Sequence, residues 1–160
     1  MQLKLYTLSN NMTTQLFFAY IHLLTLGIGC YSIWARANAL KKLKDLDGLS
    51  DVFKADNLWG LAAALWIFTG LFRAFGGLDK GTDYYLNSTA FLLKMGLFLL
   101  VFLIEIKPMI TFIKWRSKKK KGVEIDLSES RSLMISSQIE LALLAVIILL
   151  AVAMARGVWY

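Results

Sequence analysis

Four long apolar runs alternate with three polar connections along this 160-residue chain. The runs fall at about 13–34, 56–76, 89–113 and 135–156, each close to the roughly 20 residues that a helix needs to cross a bilayer. The pattern predicts an all-α integral membrane protein: a four-transmembrane-helix bundle, with residues 1–160 forming a single membrane domain. Asn10-Asn11-Met12-Thr13-Thr14 offers N-caps to the first span, and Asp56-Asn57-Leu58-Trp59-Gly60 opens the second with an acidic cap. Asp47-Gly48 marks a turn in the first connection, although residues 37–43 still read as helix. Pro108 has no N–H for the carbonyl of Ile104 and predicts a kink in the third helix. The fourth span, Leu141 to Met154, has no polar side chain; it predicts a packing and lipid-facing helix without chemistry.

Composition agrees with the pattern, since 58% of the residues are hydrophobic. One cysteine excludes a disulfide framework or a cysteine metal cluster within the chain, and Cys30 reads as a small packing hydrophobe. The polar residues 1–14, and an apolar run that ends in Ile33-Trp34-Ala35-Arg36, predict a retained first span rather than a cleaved signal.

Charge orients the bundle. The net charge is +7, but the cations cluster between spans, which argues against nucleic acid as a partner. The connection 35–55 holds five Lys and Arg, and 114–134 holds seven, including the tetralysine Lys118–Lys121. The other side has Lys4, Lys80, Arg156 and, at a span end, Arg73. Positive-inside bias therefore predicts two basic cytoplasmic connections and both termini on the outer, periplasmic side of the cell inner membrane. The basic loops are expected to touch anionic lipid.

With that orientation, the only histidine, His22, lies about 13 Å below the outer end of its span, Lys94 about 8 Å and Arg73 about 5 Å. Three nitrogen side chains from three helices thus share the outer half of the bundle. Phe18, His22, Thr25, Gly29 and Arg36 form one stripe of the first helix; Trp59, Trp66, Thr69, Gly70 and Arg73 form one of the second. Lys94 and Glu105, eleven residues apart, share a face of the third. Cations and aromatic walls suit a planar, partly anionic ligand. In a haem site His22 and Lys94 would be axial ligands, the lysine only when its amine is unprotonated. Arg73 would take a carboxylate, with Trp66 and Thr69 lining the pocket. A quinone headgroup or a lipid phosphate fits the same charges less specifically. Plainer roles fit as well. A buried histidine also hydrogen-bonds between helices, and Arg73 is close enough to its span end to snorkel. Glu105 and Lys107 are expected to form a local polar network beside Pro108. Trp34, Trp59 and Trp115 are expected in the inner aromatic belt.

The segments 56–60, 69–77, 80–86, Lys94-Met95-Gly96 and Glu105-Ile106-Lys107-Pro108-Met109 together resemble a bacterial DUF-type family of four-span membrane proteins with no assigned activity. More distantly, His22, Lys94 and Thr69-Gly70-Leu71 resemble positions of the HemJ-type protoporphyrinogen oxidases and the CopD-like membrane proteins. That resemblance implies haem b binding at His22 and Lys94 and a redox or haem-biosynthetic role. The Pro-Arg segment and further histidines of the oxidases have no counterpart here. The alternative is a non-catalytic accessory or assembly subunit of a larger membrane complex, or a homo-oligomer.

Overall fold

Each apolar run continues as helix past the residues that hydrophobicity alone assigns to it. The computed structural model describes residues 2–77 and 81–158, with side chains from Met12 onward; Asp79, Lys80 and the side chain of Lys4 lie outside the described residues. The elements are α1 (Gln2–Lys42), α2 (Leu49–Phe75), the short α3 (Thr82–Asn87), α4 (Thr89–Lys120) and α5 (Ser130–Ala155). Among the described residues no strand occurs, and four helices are long and apolar enough to cross a membrane. Their outward faces carry residues such as Leu23, Phe102, Leu149 and Val152, each more than half exposed, as a lipid-facing surface requires.

The additions sit mainly at the ends joined by the basic connections. There α1, α2 and α4 run about two turns beyond the expected spans, and a second core explains why. Leu40, Leu49, Val52, Phe112, Trp115, Ile125 and Leu133 bury one another, so helical structure is rewarded beyond the membrane-length segments. Two of the sequence-based caps are corrected. Asn10–Thr14 lie within α1, and Asp56 lies two turns inside α2, whose N-cap is Gly48. The expected turn at Asp47-Gly48 is present, with Asp45 Oδ1 accepting from the Asp47 N–H at 3.1 Å and the Gly48 N–H at 3.4 Å. In the third connection Asp126 accepts from the Ser128 backbone and hydroxyl, and these bonds hold its carboxyl below the usual range.

α1 is central, packed between α2 and α5, and α4 packs on α5. α2 and α4 meet chiefly through large side chains, with Trp66 edge-on to Phe98 at 5.5 Å between ring centroids. The membrane-level core comprises Ile33, Trp59, Trp66, Val101, Leu144 and Ile147. Gly29 admits Trp59 against α1, for a Cβ there would stand 3.0 Å from the indole; Gly27 faces open space. The expected aromatic belt is thereby corrected. Trp59 and Trp115 are each only 5% exposed and fill the two cores, whereas Trp34 is exposed. Indole area is better buried where α2 and α4 leave space than left at the interface.

Candidate functional site

The face of α1 that carries His22 also carries Thr25, Ser32 and Arg36, and all of it turns inward. Thr25 and Ser32 are buried, and their hydroxyls donate to the carbonyls one turn back, Ile21 at 2.8 Å and Ile28 at 2.6 Å. His22 is half-buried near the middle of α1, about four turns from Arg36 on the side away from the basic connections, and meets α2. Its Nδ1 lies 2.9 Å from Thr69 Oγ1, its ring centroid 5.7 Å from that of Trp66, and its Cε1 3.1 Å from where a Cβ on Gly70 would stand. Gly70 therefore makes room for the imidazole.

The other bonds of the Thr69 hydroxyl assign the tautomer. The Thr69 hydroxyl donates its one proton to the Leu65 carbonyl at 2.8 Å, with the Trp66 carbonyl 3.1 Å away. Toward the imidazole Thr69 therefore acts as acceptor, and Nδ1–H is the donor. In that tautomer Nε2 keeps its lone pair. This is the arrangement of ligating histidines, whose second nitrogen donates to an acceptor that fixes the ring.

The structure brings His22, Trp66 and Thr69 into contact. Arg73, one turn beyond Thr69, and Lys94 of α4 are half-buried and close enough for their charges to act on the imidazole. Lys94 Nζ also lies 5.0 Å from the centroid of the Phe91 ring. The Trp66 indole N–H is buried without a partner. Among the described residues no group of three or more His, Cys, Asp or Glu is placed to hold a metal ion. One imidazole suffices only where the ligand brings its other donors with it, as a haem does. His22 supplies the one imidazole here, and Arg73 and Lys94 the cations near it.

A second polar site lies near the basic ends, and here sequence reasoning missed most of the members. Arg36 is fully buried, and each of its five N–H groups has an acceptor. Nε donates to Ser137 Oγ at 3.0 Å; Nη1 to Asp56 Oδ1 at 3.1 Å and Glu105 Oε1 at 2.7 Å; Nη2 to Glu105 Oε2 at 2.8 Å and Glu140 Oε2 at 2.6 Å. The Glu105 contact is thus bidentate. Asp56 in turn accepts from Arg116 at 2.7 Å. All four long helices contribute. The expectation of a fourth helix without chemistry is corrected at its first turns, since Ser137 and Glu140 precede the apolar stretch from Leu141. Lys107, one helical position off the buried face, instead reaches Glu129, the N-cap of α5, at 3.3 Å and Ser132 in its first turn at 3.2 Å. Glu105 and Lys107 therefore belong to different networks. Counted from the basic ends of the expected spans, Arg36 falls two residues outside, Asp56 at the edge, Glu140 five inside and Glu105 eight inside, so depth along the chain did not group them.

Long apolar helices closed around buried polar side chains define a polytopic helical membrane protein. Residues 14–159 match the family described as "Predicted membrane protein (DUF2214)", and the chain belongs to that family. No curated protein and no solved structure matches it.

Proposed function

We propose that this protein binds haem b or a related porphyrin in the half of the bundle remote from the basic connections, with His22 Nε2 as the ligating atom. The observation that carries the reading is the commitment of Nδ1–H to Thr69, which leaves Nε2 a bare donor. Thr69 holds the ring, Trp66 walls it, and Arg73 offers a fork for a carboxylate. Lys94 is the second candidate ligand, and as an ammonium it serves the other carboxylate instead. A bound haem supplies one-electron chemistry, which makes a redox or haem-biosynthetic role the corresponding activity. The Lys and Arg asymmetry supports placing this half on the periplasmic side of the inner membrane, both termini outside, with the tetralysine against anionic headgroups.

The visible spectrum of the protein, purified in mild detergent after haem-replete expression, tests the reading. A Soret band is expected, lost or shifted in His22→Ala. Thr69→Val, which removes the acceptor, is expected to weaken haem binding about 10–100-fold. A spectrum without a Soret band, the same for wild type and His22→Ala, overturns it.

The alternative of an accessory subunit is supported by a separate feature. Between α1 and α5 an open groove is lined by Trp34, Ala37, Asn38, Gln138, Leu141, Ala142 and Ala145. Two amides beside small residues on an outer face suit a partner helix. If the protein runs alone after gentle extraction from native membranes, that alternative is removed.

A further inference from the structure

The Arg36 layer holds more acid than base. Two cations, Arg36 and Arg116, face three carboxylates, Asp56, Glu105 and Glu140. Asp56 is held on both oxygens, by Arg36 on one and Arg116 on the other. That leaves Glu105 and Glu140 to share what remains of Arg36, and both place an oxygen on the same nitrogen, Nη2. The Glu140 side chain is fully buried, and its other oxygen, Oε1, has no hydrogen-bond partner. Burying an ionised carboxylate with an unmet oxygen is costly, and two carboxylates at one site do not both ionise readily. The two carboxylates thus meet at one nitrogen, where two ionised groups repel each other.

We propose that the Arg36 layer is a proton-binding site in which Glu105 and Glu140 together hold one exchangeable proton near neutral pH. The charged groups that face the pair are Arg36 from α1 and Asp56 from α2, with Arg116 of α4 behind Asp56. With one proton bound, two cations meet two carboxylates, and the layer is neutral within the apolar bundle. The proton belongs to the pair rather than to either residue. Its way in and out is Glu105, whose side chain is 18% exposed where that of Glu140 is fully buried. Apolar clusters flank the site, one with Phe112 and Leu133 toward the basic ends and one with Val101 and Leu144 on the other side. This inference does not rest on the haem reading and involves none of its residues.

Infrared spectroscopy of the whole protein in detergent or lipid tests it, through the carbonyl stretch of a protonated carboxyl. The expected result at neutral pH is one such band, which shifts in heavy water without unfolding and disappears as the pH is raised. Glu140→Gln and Glu105→Gln should each abolish it, because the remaining carboxyl ionises fully against Arg36; Asp56→Asn, which makes cations and carboxylates equal in number but keeps the pair, should make it disappear at lower pH. No band at neutral pH in the unmodified protein overturns the proposal, whether or not the variants fold. So does a band that persists in both glutamine variants, or that does not shift in heavy water.

Discussion

At the scale of single residues, Arg36 is the side chain whose loss the fold should feel most. A guanidinium has five donors in a fixed fork, and here all five are used. Arg36→Leu strands Glu105 and Glu140 around an apolar stem, leaves Asp56 with Arg116 alone, and is expected to cost about 3–5 kcal/mol. Arg36→Lys keeps the charge but has three donors for five acceptors, so its loss should be smaller. Thermal unfolding of the three proteins in one detergent gives the order: wild type, Lys, then Leu. Equal melting temperatures for all three would show that the layer is not what joins these helices. This residue also marks where reading the sequence stops. His22 was legible because it is the one histidine in the chain and lies deep in an apolar run. Arg36 was read as part of a basic connection because a cation after an apolar run is the ordinary mark of a membrane exit. Its three acids are far away in sequence, and only packing shows that they converge.

Helices are the scale at which the sequence spoke most clearly, and their ends the least. Membrane-spanning length is a property of one segment, whereas the extra turns of α1, α2 and α4 depend on a core shared among them. The ends themselves are well defined. α4 closes with the Val123 N–H on the Lys118 carbonyl at 3.1 Å and the Gly122 N–H on Lys119 at 3.3 Å, with Gly122 at φ +65°. The lysines of that last turn also lie at the negative end of the helix dipole. A Cβ on Gly122 would touch nothing, so Gly122→Ala isolates the left-handed backbone cost, about 1–2 kcal/mol. Gly96, inside α4, also faces open space but has ordinary helical backbone. Gly96→Ala is therefore expected to stabilise, by up to about 1 kcal/mol. Opposite signs in the melting temperatures of the two variants check the argument.

For the whole molecule, the sequence carried the class of fold and the number of spans, because both follow from length and hydropathy. Orientation rests on the count of Lys and Arg and has its own test. Cys30 is the one cysteine, so a Cys30→Ala background allows single labels in the connections. On intact cells with a permeable outer membrane, an impermeant maleimide is expected to label Thr82→Cys at once and Ser128→Cys only after lysis. Both positions are exposed. The reverse pattern turns the bundle over, and with it the side from which a ligand reaches His22.

The layer around Arg36 also has an order in time, because a chain is made from its N-terminus. Arg36 precedes Asp56 by 20 residues, Glu105 by 69 and Glu140 by 104. During synthesis the arginine therefore has one early acid partner, on the helix that follows its own. Its remaining acid partners come only with α4 and α5. A chain stopped before the fourth span is left with Arg36 short of Ser137 and Glu140. The half-made bundle is thus chemically distinguishable from the finished one, and a membrane quality-control system that senses unsatisfied charge has a feature to read.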